Sequence, residues 1–280
     1  MRILLVKGNN GFGNMISTLN FAYNLAINTN RILVIDWGHH EWKLGFDRYF
    51  SWINPNVCNS MSYEKFLSLD KSSLTVYPPI FNSKLKIPLS EVIPNIDKGG
   101  DTAYNKVFYN SIQIAQFATY DIVVFSWNYT GYTNIKEMWE NLKFSQEITN
   151  KVTQYKLILG QYKSIHVRHT DIRNSNLDWV FDFIEKNLDK NIYVGTDNEI
   201  VLRLCRGKHK NIFNFTTFYE LNKPLHNITC DEEQRHQINI DTIVDLILLS
   251  QSESLEITPI KTIPFMSTYS LLAKALAFSN

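Results

Sequence analysis

The first 37 residues contain two apolar runs separated by a glycine-rich turn and a helix-like stretch. Residues 3–6, Ile-Leu-Leu-Val, form a continuous apolar run of the kind found in buried parallel strands. Apolar residues then recur at helical spacing from Ile16 to Ala26, and a second apolar run follows at residues 31–37. This is the pattern of a βαβ unit, whose right-handed crossover builds a parallel sheet. The chain is therefore predicted to begin with an α/β domain.

The second half of the chain repeats this alternation. Strands are predicted at residues 164–168, 191–197 and 255–258, with helices between and after them. Prolines break the pattern between residues 38 and 120, where short helices and irregular connections are expected. Residues 134–160 are predicted to be largely helical and to connect two domains.

The predicted fold class is therefore α/β, with two Rossmann-like halves that face each other across a cleft. The N-terminal domain is placed at residues 1–150 and the C-terminal domain at residues 151–280. Packing of the last helix back on the first domain is kept as an alternative. Ligands of such folds bind outside the carboxyl ends of the strands, commonly between domains.

Composition excludes several classes of function. A formal net charge of +1 argues against bulk nucleic-acid binding, which requires a basic face. No apolar run approaches the roughly 20 residues that span a bilayer, and the N-terminal run is interpreted as a strand and not as a signal peptide. The three cysteines lack C-x-x-C spacing, which favours a reducing compartment without structural zinc. We expect a cytoplasmic protein; peripheral association with the inner face of a membrane and the oligomeric state stay open.

A cation follows the strand predicted at residues 164–168, in the sequence His166-Val-Arg168-His169-Thr170-Asp171. Arg168 would lie at the carboxyl end of that strand, where α/β sheets bind ligands. A guanidinium there can hold a phosphate with two parallel hydrogen bonds. A plain surface ion pair is the alternative for a strand-end arginine.

Three further segments carry candidate binding groups. The turn with Gly8, Gly11 and Gly13 allows close backbone approach and precedes a helix whose N–H groups can bind an anion. Its G-x-x-G-x-G spacing differs from that of dinucleotide folds and lacks the end of a P-loop, so a tight turn is the alternative. Ser267 to Ser270 begin the last predicted helix, and Asp197 ends a strand; each can bind a ligand or simply cap a helix.

Taken in order, these motifs resemble those of the fucosyltransferase superfamily with GT-B architecture. This group holds the α-1,6-fucosyltransferases, the protein O-fucosyltransferases and nodulation-type bacterial relatives. Gly11-Phe-Gly13-Asn14 is similar to the G-x-F-G-N turn, Ile165 to Asp171 to the H-x-R-R-T-D motif, and Tyr193 to Asp197 to the A-T-D strand end. Asp241 to Ser250 and Ser267 to Ser270 resemble the closing segment. The likeness covers the first 40 residues and most of the second half.

The resemblance implies an inverting glycosyltransferase that moves fucose from GDP-fucose to a glycan hydroxyl. Arg168 would hold the β-phosphate of the leaving GDP as the catalytic residue. The N-terminal domain would be the acceptor side, and the C-terminal domain would bind the nucleotide sugar. No D-x-D motif occurs, so no metal and no cofactor are expected. The implied donor-binding residues are Gly11, Gly13, Asn14, His166, Asp197, Asp245, Ser267 and Thr268.

Two departures from the family pattern leave alternatives open. His169 replaces the second arginine, so another donor such as GDP-mannose, or a non-catalytic nucleotide- or glycan-binding relative, is weighed beside fucosyl transfer. The acidic residue that some relatives place beyond the arginine falls at Asn176. Asp36 and Asp171 are therefore named as possible bases, with Glu41 and Asp178 as further candidates.

Aromatic residues make up 13% of the chain and include several clusters with tryptophan. Trp37, Trp42, Trp52 and the run Trp127-Asn128-Tyr129 are candidates to line a sugar-binding cleft. Packing in the core of a sheet protein is an equally good interpretation of each one.

Overall fold

The structure, a computed structural model, describes most of the chain. The described ranges are 1–8, 11–38, 43, 45–93, 119–126, 132, 134–169, 176–218, 228–258 and 267–277. The chain divides into two compact units, Met1–Ser145 and Gln146–Asn280.

The first unit is built on the βαβ motif at its N-terminus. Its described strands and helices are β1 (Ile3–Lys7), α1 (Phe12–Thr29), β2 (Ile32–Asp36), β3 (Phe50–Trp52), β4 (Ser60–Met61), α2 (Tyr63–Ser68), β5 (Val76–Tyr77), α3 (Leu89–Val92), β6 (Ile122–Phe125), α4 (Ile135–Glu140) and β7 (Leu142–Phe144). Short 3-10 helices lie at Phe46–Arg48 and Pro79–Phe81.

Five of these strands form one parallel sheet in the order β4-β2-β1-β6-β5. The central strand β1 is buried along its whole length, which explains why its sequence is continuously apolar up to Lys7. Lys7 and Asp36 are register partners at the carboxyl ends of β1 and β2. The two remaining strands, β3 and β7, pair with each other in antiparallel fashion.

The second unit contains a second parallel sheet with the order β10-β9-β8-β11. Its described elements are α5 (Gln146–Leu159), β8 (Tyr162–Val167), α6 (Asp178–Glu185), β9 (Asn191–Thr196), α7 (Glu199–Lys208), β10 (Ile212–Phe213), α8 (Glu232–Ser250), β11 (Leu255–Ile257) and α9 (Thr268–Ala277). The long helix α8 contacts α5, β8 and β9, and α9 contacts α8 and β11.

The predicted α/β class, with two Rossmann-like halves, is confirmed, and three local predictions need correction. The strand β7 interrupts the stretch 134–160, which was expected to be largely helical. The apolar residues of the sequence predict a helix over residues 240–250, whereas α8 begins at Glu232, because its first turns are polar and show no apolar period. The strands β3, β4 and β5 were not predicted, since runs of two or three residues are too short to show a period.

No helix in the described ranges is both long enough and apolar enough to cross a membrane. All three cysteines lie in the described part and are free thiols, with Cys58 and Cys205 buried.

Candidate functional site

The two faces of the second sheet differ in character because alternate residues of a strand point to opposite sides. One face packs an apolar core against α6 and α7, with Ile165, Val167, Ile192 and Val194 contributed by β8 and β9. The other face meets α8 and α9 through polar groups at Ser164, His166 and Tyr193. Arg168 and Asp197 continue this polar face beyond the carboxyl ends of β8 and β9.

Arg168 and Asp197 form an ion pair at this edge of the sheet. Arg168 Nη1 lies 3.0 Å from Asp197 Oδ2, and the two side chains are 18% and 5% exposed. The other carboxylate oxygen, Asp197 Oδ1, accepts a hydrogen bond of 3.0 Å from the backbone N–H of His169. Asp197 therefore anchors both the guanidinium and the backbone that follows it.

The neighbouring residue Asn198 completes the support of this turn. Its Oδ1 accepts from the N–H groups of Ile200 and Val201 and so caps α7, which identifies Asn198 as the capping residue, not Asp197. Asn198 Nδ2 donates to the carbonyl of His169 at 3.3 Å. The backbone of His169 is thus held from both sides, which limits the positions open to Arg168.

Asp245 reaches the polar face from α8 and is held by two tyrosines. The Tyr193 hydroxyl donates to Oδ1 at 2.6 Å, and the Tyr269 hydroxyl donates to Oδ2 at 3.0 Å. Burial raises the pKa of Asp245 to about 6, although both hydrogen bonds oppose the rise; the nearby carboxylates Asp241 and Asp197 add to it. Asp245 on α8 is therefore a buried residue that links β9 and α9 through its hydrogen bonds to Tyr193 and Tyr269.

His166 lies beside Tyr269 and is almost fully buried. Its Nδ1 is 2.7 Å from Ser270 Oγ, and its ring lies 5.2 Å from that of Tyr269. Burial lowers the pKa of His166 to about 4; Asp197 opposes this effect and Arg168 strengthens it. His166 is therefore neutral near pH 7 and ties β8 to α9.

Ser267 and Thr268 begin the helix α9, as the sequence predicts. Ser267 Oγ accepts from the N–H of Ser270 at 3.4 Å, which is the geometry of a helix cap. Thr268 is the first residue of α9. These contacts give Ser267 the capping role that was one of its two predicted alternatives.

In the first unit, the glycine turn leads directly into α1. Gly11 is the N-cap residue and provides no side-chain cap, and its carbonyl accepts from the N–H groups of Asn14 and Met15. Gly13 is buried within the first turn of α1, and Asn14 is half-buried beside it. The N-terminus of this 18-residue helix, which begins after a residue without a side chain, therefore has the partial positive charge that suits an anion.

Asp36, one of the predicted bases, has a different environment from that expected. Its Oδ2 accepts from Lys7 Nζ at 2.7 Å, and its side chain is fully buried. Lys7 Nζ also donates to the carbonyls of Leu85 and Ile87, each at 2.9 Å. A carboxylate that is buried and paired in this way, with a lysine that also binds two carbonyl groups, joins the end of β2 to residues 85–87.

The likeness of this chain to known proteins lies in its fold. No protein-family model matches the chain, and no curated protein matches its sequence. Several solved structures match the chain in fold. NodZ alpha-1,6-fucosyltransferase soaked with GDP-fucose aligns with a TM-score of 0.66 at 16% identity, over 99% of this chain and 93% of that one. Fucosyltransferase NodZ from Bradyrhizobium gives a TM-score of 0.65 at 16% identity, over 98% and 93%.

POFUT1 in complex with GDP-fucose also aligns, with a TM-score of 0.60 at 10% identity, over 98% of this chain and 93% of that chain. The chain has the fold of GT-B fucosyltransferases. At these identities the likeness establishes the fold, and it confirms at that level the resemblance predicted from the motifs.

Within this fucosyltransferase-like fold, the predicted residues separate into groups. Arg168, His166, Asp197 and Asp245 are brought together at one edge of the second sheet. Asp178 is exposed at the start of α6. Asp171, Glu41, Trp42 and the run 127–129 lie outside the described residues. In the described ranges, no group of three His, Cys, Asp or Glu side chains is arranged to hold a metal ion.

Sequence reasoning missed Lys7, Tyr193, Tyr269 and Asn198. Lys7 had a detectable signal, because a single cation at the end of an otherwise apolar buried strand needs a buried partner. The tyrosines had none, since their role depends on the approach of α8 and α9 to the sheet.

Proposed function

We propose that this protein transfers fucose from GDP-fucose to a glycan hydroxyl, with inversion at the anomeric carbon and without a metal ion. The observation that carries the proposal is the position of Arg168. It lies at the carboxyl end of β8, anchored by Asp197, in a chain that shares its fold with structures solved with GDP and GDP-fucose. Ligands of α/β sheets bind at this edge.

The proposed role of Arg168 is to stabilise the charge that develops on GDP. A guanidinium carries five N–H donors in a planar fork, so it can hold a phosphate while Nη1 faces Asp197. Preorganised donors of this type lower the barrier, and loss of one typically costs about 2.7–4 kcal/mol. The absence of a D-x-D motif from the sequence supports this assignment of phosphate binding to arginine and backbone N–H groups.

The proposed reaction is a direct displacement at the anomeric carbon of fucose. The acceptor oxygen forms the new bond to this carbon while the bond to the β-phosphate oxygen breaks, and GDP leaves with the electron pair. The acceptor proton passes to a base. Because Asp36 is buried against Lys7, we retain Asp171, three positions after Arg168, as the proposed base.

The remaining donor-binding residues are proposed for two parts of the nucleotide. The N-terminus of α1, with Gly11, Gly13 and Asn14, and the start of α9, with Ser267 and Thr268, would face phosphates. Asp197 and Asp245 would shape the nucleoside side of the site, and His166, whose Nδ1 meets Ser270 Oγ, would fix the end of β8. The free cysteines support the cytoplasm as the compartment.

A calorimetric titration with GDP tests the proposal, with EDTA present. We expect wild type to bind GDP and Arg168→Ala to bind it roughly tenfold to a hundredfold more weakly, as for loss of a charged hydrogen bond. Arg203→Ala is the matched control, because that arginine is 63% exposed on α7 and its Nε lies 4.0 Å from Glu199 Oε1. No GDP binding by wild type, or equal binding by Arg168→Ala, would overturn the proposal.

His169 in place of a second arginine favours two alternatives that the same preparation separates. Tighter binding of GDP-mannose than of GDP-fucose would identify GDP-mannose as the donor. GDP-fucose that is bound but neither hydrolysed nor transferred to any acceptor would assign a non-catalytic binding protein.

A further inference from the structure

A cavity of about 100 Å³ lies in the first unit, between β2, β3 and β4. Its size is well below the roughly 300–1,000 Å³ of pockets that enclose drug-sized ligands, so it suits one small ring and not a nucleotide. The residues that line it include Asp47, Ser51, Trp52, Ser60, Ser62 and Tyr63.

Trp52 provides a fixed aromatic surface in this cavity. Its ring stacks on Tyr23 with 5.3 Å between centroids and lies 5.7 Å from the ring of Phe46. The side chain is half-buried, so the core holds part of the indole while another part lines the cavity. A rigid aromatic surface of this kind packs well against the C–H face of a sugar ring.

Asp47 supplies the charged acceptor of the cavity. Asp47 keeps an exposed surface, and partial desolvation of its carboxyl group raises the pKa, which the backbone N–H of Tyr63 opposes by donating to it. Three serines, Ser51, Ser60 and Ser62, line the same space. None of the described residues that line the cavity is Lys, Arg or His. This combination favours a neutral, polyhydroxylated ligand and disfavours an anion.

We propose that this cavity is a saccharide subsite that binds one ring of the acceptor glycan. Trp52 packs against the ring, and the Asp47 carboxylate accepts hydrogen bonds from its hydroxyl groups. The assignment of the saccharide as the acceptor rests on the proposed function, whereas saccharide binding itself does not depend on it.

The position of Tyr63 supports this role. Tyr63 lines the cavity, and its hydroxyl interacts with Asp36, the last residue of β2. Leu33 and Ile35 also line the cavity, so it lies along one face of β2 and, through Tyr63, reaches toward the carboxyl end of that strand, where α/β sheets bind ligands.

Saturation-transfer NMR with millimolar cellobiose, maltose, lactose and N,N′-diacetylchitobiose tests the proposal on the full chain. We expect at least one disaccharide to bind wild type. Asp47→Asn should weaken that binding roughly tenfold, because it replaces a charged acceptor with a neutral one. Trp52→Ala should abolish it. Asp70→Asn is the control, since Asp70 is an exposed carboxylate that does not line the cavity.

Asp47→Asn keeps the shape of the side chain, so it gives a result even if Trp52→Ala fails to fold. Binding of no disaccharide by wild type, or binding unchanged in Asp47→Asn, would overturn the subsite. GDP titration of the same samples separates the two proposals. If wild type binds GDP but no saccharide, the subsite proposal is rejected and the proposed function stands. If it binds a saccharide but no GDP, the proposed donor is rejected and the subsite stands.

Discussion

Arg168 and Asp197 face each other one step beyond the last register pair of β8 and β9, Val167 with Thr196, and lie 3.0 Å apart. The first unit contains the same relationship, because Lys7 and Asp36 are register partners at the ends of β1 and β2, 2.7 Å apart. The two pairs differ in exposure. Lys7 is buried and donates hydrogen bonds to the carbonyls of Leu85 and Ile87, whereas 18% of the Arg168 side chain is exposed. Of these two pairs, the second leaves more of its cation exposed to solvent.

We predict that Arg168 and Asp197 are energetically coupled. In a double-mutant cycle of Arg168→Gln and Asp197→Asn, each single change should lower the free energy of unfolding by about 1–3 kcal/mol. The double variant should lose less than the sum, because neither partner is then left charged and unpaired. Urea unfolding of the four proteins measures the coupling. Additivity within about 0.5 kcal/mol would show that the pair contributes nothing.

Asp245 and His166 should give opposite dependences of stability on pH. The pKa of Asp245 is raised from 3.8 to about 6, so the folded state keeps a proton that the unfolded chain loses. The contribution of Asp245 to the free energy of unfolding therefore falls as the pH rises from 3.8 to about 6. The pKa of His166 is lowered from 6.5 to about 4, so the folded state stays neutral where the unfolded chain is charged, and this contribution rises over nearly the same window.

At 1.36 kcal/mol per pKa unit, Asp245 and His166 each change the free energy of unfolding by about 3 kcal/mol over this range. Because the two changes have opposite sign, they largely cancel in wild type. Asp245→Asn should leave the histidine contribution, and the free energy of unfolding should rise from pH 4 to pH 6.5 relative to wild type. His166→Asn should leave the aspartate contribution and show the reverse. Urea unfolding across this range measures both slopes. Parallel profiles for all three proteins would contradict the assignment.

The difference between predicted and observed site residues has a physical cause. The place of Arg168 at a strand end could be predicted because a β-branched run followed by a cation is a local pattern. Its pairing with Asp197 could not, since this depends on which strands are neighbours and in what register. The same holds for Asp36, whose carboxylate looked available until β1 placed Lys7 beside it. Local periodicity predicts strands and helices, whereas sheet order decides which polar ends meet.

Gly195 is predicted to be required by the close approach of Asp245. A Cβ atom there would lie 3.1 Å from both carboxylate oxygens of Asp245 and 3.0 Å from Leu249 Cδ1. Gly195→Ala should therefore destabilise the protein by about 1–3 kcal/mol. Gly207→Ala on α7 is the matched control, because in the described part of the chain no atom beyond its own helix lies within 4 Å of its Cβ position. That change should stabilise the helix by up to about 1 kcal/mol. Equal thermal shifts for the two variants would refute this role of Gly195.

The buried pair of Lys7 and Asp36 leads to a prediction about stability and catalysis together. Lys7→Met leaves a buried carboxylate without its cation and two carbonyl groups without a donor, so it should cost about 3–5 kcal/mol. Adding Asp36→Asn should restore part of this loss, because the unpaired charge is then removed.

Asp36→Asn alone separates a structural role from the role of a base. As a structural partner of Lys7, Asp36 should affect the urea midpoint, while turnover of GDP-fucose by the folded fraction keeps its rate and pH profile. A general base would give the opposite result, because its loss typically lowers the rate by about 10²–10⁴-fold and removes a limb of the pH profile. We expect the first result, since the carboxylate is fully buried and its Oδ2 is already bound to Lys7 Nζ. A large loss of turnover at unchanged stability would return Asp36 to the list of bases.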